Sequence, residues 1–281
     1  MQDFWEFLTP YDVSPLSLLA YLAAVLVYGL GVWRLPREQR PGTWRQLAFW
    51  LGLGLCYAVM NTRLDYYAQY MFFVHRGQHL ILHHLGPFLI ALSNPLPVLA
   101  AMGVGRPGPR RFPRSLLYGV YRVLQHPLVA PVLFVGLIFF WLWPSVHFDA
   151  MLSRDLYWLM NWSMLLDGLL FWWLILDPRD ASHPGTLRPG VRILMLLAVV
   201  PPQIALGAYI TLSDGVLYDV YAVCGRAWPM AAETDQHLGG LLTWIPAAMM
   251  SVIGVLVLLP RLMRQDRQRA AAPWTGEGET P

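Results

Sequence analysis

Seven apolar stretches alternate with short polar segments along the chain, near 15–34, 44–61, 69–92, 128–143, 156–177, 191–212 and 239–260. A helix that crosses a bilayer needs about 20 predominantly apolar residues. In lipid the backbone must satisfy its own hydrogen bonds, which leaves helices or closed barrels. The pattern therefore predicts an all-α fold, a polytopic membrane bundle of seven transmembrane helices. Only NTRLDYYAQ, read as a short turn, separates the second stretch from the third. The chain divides into an outer N-terminal segment (1–14), the seven-helix domain (15–264) and a polar, Gly- and Pro-containing tail (265–281) expected to be mobile.

Composition agrees with a membrane protein. The 281 residues are 56% hydrophobic and only 13% charged, where a soluble domain carries about a quarter charged residues. Thirteen tryptophans suit rings placed at membrane interfaces. The net charge of +3 is uninformative until it is mapped onto the loops. Every one of the 20 basic residues is arginine, and 16 fall on one side: Arg34, Arg37, Arg40 and Arg45; Arg106, Arg110, Arg111, Arg114 and Arg122; Arg179, Arg188 and Arg192; Arg261, Arg264, Arg267 and Arg269. The other side holds Arg63, Arg76, Arg154 and Arg226 and gathers most of the acids. Basic loops stay in the cytoplasm. The N-terminus is expected outside and the C-terminus in the cytoplasm, as in a multi-pass protein of a bacterial inner membrane.

Smaller features refine this outline. RPGPRR is a broken turn, and the amphipathic RSLLYGVYRVLQ after it is expected to lie along the cytoplasmic interface, against membrane lipid. Cys56, inside an apolar helix, and Cys224 are expected to be free thiols, and no zinc-like Cys/His spacing is present. The acidic N-terminus (Asp3, Glu6, Asp12) does not resemble a cleaved signal peptide. There is no internal repeat, phosphate loop or patch for nucleic acid.

The chemistry gathers in MFFVHRGQHLILHHLGPFLIALSNP, residues 71–95. His75, His79 and His83 are spaced i, i+4, i+8, so they stack on one helix face. An ionisable group inside a membrane segment marks a functional site by default. His147 and His237 come from the outer loops and share the outer half of the membrane with this ladder. Asn161, Ser163 and Asp167 lie on the fifth helix, and Met71, Met151, Met160 and Met164 add thioethers on the same side. Imidazole with thioether suits copper, Cu(I) or Cu(II). Zinc fits imidazole with carboxylate. The candidate metal ligands are His75, His79, His83, His147 and His237, with Asp235, Asp167 and Asn161 as supports that orient them. His84 points off the ladder. His126 and His183, at the cytoplasmic side, read as structural, His126-Pro127 starting the fourth helix.

These residues resemble the CtaG-type cytochrome c oxidase assembly factors, seven-helix membrane proteins linked to haem–copper oxidase maturation. The resemblance spans roughly residues 60 to 260. It rests on His75 and His79 followed by LGPFLIALSNP; on His126, Pro127 and Ala130; on Trp141, Pro144, Phe148 and Asp149; and on Gly168 to Trp172. It rests most specifically on Asp235, Gln236, Gly239, Gly240, Leu241, Trp244 and Pro246. Leu142 and Asn161 stand where many members carry histidine. The resemblance implies a non-enzymatic factor that assists copper delivery, with a cytochrome c oxidase subunit as client and a periplasmic copper chaperone as a further partner. Two alternatives use the same residues: a membrane haem protein for electron transfer, and a metal or ion transporter. The apolar inner halves of helices one, four, six and seven speak against a pathway through both leaflets.

Overall fold

In the computed structural model, residues 4–103, 116–179 and 186–271 are described, and the elements among them are helical. The RPGPRR turn, four arginines of that loop (Arg106, Arg110, Arg111, Arg114), His183 and the last ten residues lie outside the described residues, as does the Arg269 side chain. Each apolar stretch becomes a helix. α1 runs Pro15–Arg34, α2 Thr43–Asn61 and α3 Arg63–Tyr70. The third stretch is α4 (Phe72–Leu80), a π turn (Ile81–Leu85) and α5 (Gly86–Leu92) in one continuous run. Short α6 (Leu96–Ala101) and α7 (Leu116–Leu124) precede α8 (Val129–Leu142) and α9 (Pro144–Leu152). α10 (Arg154–Leu176), α11 (Pro189–Leu212), α12 (Val220–Val223) and α13 (Ala232–Ala271) complete the chain. α13 continues well past the expected end at residue 260, into the segment read as tail.

Among the described residues, four helices are long and apolar enough to cross a membrane: Pro15–Arg34, Arg154–Leu176, Pro189–Leu212 and Ala232–Arg267. A fifth span results if α7 and α8 count together, though they meet at 80°. That bend suits an α7 lying across the bundle end. The remaining predicted stretches, 44–61 and 69–92, are helical, but the second is interrupted by the π turn and lined with polar groups.

Punctuation follows local chemistry. Pro15 occupies the first turn of α1, where its missing N–H costs nothing, and the chain leaves helix at Leu35, before Pro36. Asn94, at φ 52°, ends α5 with a left-handed residue ahead of Pro95. The π turn has an identifiable cause. Pro87 has no N–H to give the His83 carbonyl, and Gly86 N–H instead reaches back to the Ile81 carbonyl.

The 72–92 run forms the axis of the bundle. Phe72, His75, Arg76, Gln78, His79, Leu82, His83, His84, Phe88 and Ala91 along it are all buried. α2, α10 and α13 pack around it. One end of the bundle gathers the N-terminal segment, α3, α9 and α12: Tyr11 N–H bonds the Asn61 carbonyl at 3.0 Å, and Arg154 pairs with Asp12 at 2.8 Å. At the opposite end arginines close α10: Arg192 and Arg261 donate to the Asp177 carbonyl at 2.7 and 2.9 Å, and Arg179 grips the Asp177 carboxylate. Cations at a helix C-terminus satisfy its unpaired carbonyls and oppose its dipole.

Candidate functional site

His75 and His79 lie together on α4, His83 falls in the π turn beside His84, off the predicted three-residue ladder, and the fold adds a cross-chain partner. His75 and His79 have ring centroids 4.2 Å apart on α4, and His147, carried in by α9, lies 5.1 Å from His75. All three are buried. Their hydrogen bonds fix two of the tautomers. Arginine can only donate, so Arg76 Nη1, 3.2 Å from His79 Nδ1, occupies that lone pair. His79 Nε2–H then donates to Asn161 Oδ1 at 3.1 Å. A carbonyl can only accept, so His147 Nδ1–H donates to Trp141 O at 3.0 Å, and His147 Nε2 accepts from the Tyr221 hydroxyl at 3.0 Å. Burial pushes His147 down to about 3, against the bond to Trp141, so it is neutral at pH 7. His75 differs from both. Neither of its ring nitrogens has a partner, although the residue is wholly enclosed. A buried imidazole left unpaired costs about 1–3 kcal/mol.

One turn further along, His83 and His84 form a second group with ring centroids 5.1 Å apart. His83 Nε2 lies 3.0 Å from Asp167 Oδ2, so the proton sits there and Nδ1 keeps the lone pair. That ring stacks on Phe134 at 4.0 Å. Gly168 sits against the His83 carbonyl that Pro87 leaves free: a Cβ there would be 2.5 Å from that oxygen.

The other predicted residues separate. His237 is on the exposed face of α13, away from the ladder, while Asp235 and Gln236 turn inward. Asp235 supports no histidine. Its carboxylate accepts from Phe72 N–H at 3.1 Å and Phe73 N–H at 2.9 Å and from Arg226 Nε at 3.3 Å, capping the start of α4 from a helix more than 160 residues away. Gln236 accepts from Leu217 N–H at 2.6 Å and donates to the Gly215 carbonyl at 2.9 Å. Gly239 lies against the Phe72 ring and Gly240 against Thr211, so the motif from Asp235 to Pro246 fastens α13 to α4 and α11. Ser163 accepts from Trp141 Nε1 at 3.0 Å. His126, exposed, accepts from Leu128 N–H at the start of α8, as its structural reading expects, and Cys56 and Cys224 are free.

Several residues that matter were not legible as site residues. Arg76 reads as a loop cation but is buried, its Nε on Thr243 Oγ1 at 2.9 Å. Asp65 is a buried hub beside the ladder. Tyr157 hydroxyl and Gln78 Nε2 each donate to Asp65 Oδ1 at 2.7 Å, and Gln69 to Oδ2 at 2.9 Å. The only sequence signal was an aromatic- and amide-rich turn between two apolar stretches. Among the described residues, no three His, Cys, Asp or Glu side chains converge as a preformed metal cage. The histidines instead form a trio of His75, His79 and His147 and a pair of His83 and His84, with rings tilted or edge-on to one another.

Comparison with known proteins adds the family. The sequence profile of the Caa3_CtaG family, cytochrome c oxidase caa3 assembly factors, matches residues 26–265. An uncharacterized protein of Mycobacterium leprae (strain TN) is 30% identical over 268 residues, which is 88% of this chain and 39% of that protein. Uncharacterized proteins of Mycobacterium bovis (strain ATCC BAA-935 / AF2122/97) and Mycobacterium tuberculosis (strain CDC 1551 / Oshkosh) are each 30% identical over 275 residues, 91% of this chain and 40% of theirs. The chain thus spans about 40% of the length of the curated relatives it matches. No solved structure matches it. With the family profile covering 26–265, most of the helical bundle included, this chain belongs to the Caa3_CtaG family of cytochrome c oxidase assembly factors.

Proposed function

We propose that this chain is a copper-handling membrane factor that takes up copper on the outer side of a bacterial inner membrane and assists its delivery to a cytochrome c oxidase subunit. Copper is cargo in this reading, and the protein catalyses no reaction. Seven spans, an outer N-terminus and a cytoplasmic C-terminus are part of the proposal, drawn from the arginine distribution. The observation that carries it is His75: an enclosed imidazole without a partner at either nitrogen, flanked by the tilted ring of His79 and the edge-on ring of His147. Burying such a ring is unfavourable unless something else engages it. Neutral imidazole nitrogen is a good ligand for copper.

The separation of the rings supports transit over storage. His79 and His147 are held by Arg76, Asn161, Trp141 and Tyr221, so each must give up a hydrogen bond to ligate. Affinity is lowered by those costs, as ligand exchange to a client requires. His237, exposed and apart, is left out of this site. A periplasmic copper chaperone as donor follows from the family reading alone.

The test is metal analysis with an optical spectrum on detergent-purified protein grown with copper, wild type beside His79→Ala. Wild type is expected to hold copper, without a Soret band, and His79→Ala to lose it. Full copper content in His79→Ala would overturn this site, and a haem spectrum would overturn the copper reading.

A further inference from the structure

We propose a second, inner station for Cu(I), made by His83 and His84 with the Met164 thioether, one helical turn beyond the outer trio and sharing His79 with it. The inference rests on the copper reading above and extends it from one site to a two-step relay.

Four observations converge on the same place. The first is a cavity of about 10 Å³, room for the centre of one water-sized particle, walled by Arg76, His79, His83, His84, Met164 and Thr243. The second is a pair of orphaned atoms: His83 Nδ1 and His84 Nδ1 are buried and bond to nothing. The third is the Asp167 carboxylate 3.0 Å from His83 Nε2. A carboxylate that fixes a histidine tautomer and leaves the other nitrogen free is the usual support behind a metal-bound imidazole. The fourth is the π turn that carries both histidines. Such turns are frequent at functional sites, and this one carries both rings, centroids 5.1 Å apart, against the same Phe134.

The donor set selects the metal. Two imidazoles and a thioether, with no carboxylate among the cavity-lining residues, favour Cu(I) over zinc, calcium or magnesium. Asp167, behind His83, offsets the guanidinium of Arg76, so a bound Cu(I) leaves the station with a single positive charge. His79 lies 4.2 Å from His75, centroid to centroid, and also lines the inner cavity, so it can hand an ion from one station to the other by exchange of nitrogen ligands. No electron or proton transfer is needed.

Anaerobic titration of the detergent-purified chain with Cu(I) against a chromophoric chelator separates the possibilities. Wild type is expected to bind two ions per chain, His75→Ala one, and the double variant His83→Gln/His84→Gln one. X-ray absorption on His75→Ala should show a sulfur neighbour that disappears when Met164→Leu is added. One ion in wild type, lost in His75→Ala and kept in the double variant, overturns the inner station and leaves the outer copper site standing. No Cu(I) in wild type overturns both. If the double variant fails to fold, Asp167→Asn carries the test. It should weaken one of the two ions about 10–100-fold, and an unchanged titration overturns the proposal.

Discussion

Arg76 is where a single side chain sets the behaviour of the histidines. Its guanidinium holds the Nδ1 lone pair of His79 and anchors on Thr243. In the copper reading proposed above, the ion would have to displace it against its charge. Arg76→Gln keeps a donor while removing the charge. Copper should then bind more tightly and leave more slowly, measured as chelator-driven release; faster release would sink the idea. Asp65 gives a second prediction at this scale. Burial pushes its carboxyl up to about 6 from 3.8, with Tyr157, Gln78 and Gln69 pulling the other way. Its contribution to stability is therefore full below about pH 4, falls as pH rises to about 6 and is flat above. The span of that fall is on the order of 2–3 kcal/mol. Asp65→Asn should flatten thermal unfolding between pH 4 and 6, and an unchanged slope would assign the drop to other groups.

The axial run is one element assembled from several devices. Pro87 opens the π turn, Gly168 of α10 fills the space beside the freed His83 carbonyl, and Asp235 of α13 caps the other end. Gly168→Ala puts a methyl 2.5 Å from a backbone oxygen that has no rotamer to escape into. It should cost about 1–3 kcal/mol and disturb the inner histidines more than the outer trio. Asp235→Ala strips the acceptors from Phe72 and Phe73 N–H and leaves Arg226 unpaired, and should cost about 2–4 kcal/mol. Thermal unfolding in detergent checks both. If Asp235→Ala unfolded like wild type while losing copper, Asp235 would be a ligand and not a cap.

Over the whole molecule, polarity is divided by end. Arginines close the α10 terminus at one end, while acids, His147 and the N-terminal segment lie at the other. Cys224 is exposed at the second end and Cys56 is buried, so the native chain is a ready topology probe. A membrane-impermeant maleimide should label intact spheroplasts at Cys224, and labelling only after lysis would invert the orientation. The curated relatives are more than twice as long as the matched region, so in them this bundle is one part of a larger chain.

The sequence alone determined that the chain is helical, where its apolar stretches lie, that His75 and His79 share a face and that free thiols are present. Those properties depend on period, composition and neighbours a few residues away. Family membership was equally legible, because motif spacing survives without coordinates. Only the tertiary structure decided which of His147 and His237 joins His75 and His79. His147 and His237 have similar sequence signals, but α9 turns one inward and α13 leaves the other exposed. It also decided that Asp235 caps α4, that Arg76 is buried, and that Asp65 and Tyr157 meet. Each of these joins residues from separate elements, and no local pattern encodes the packing that brings them together.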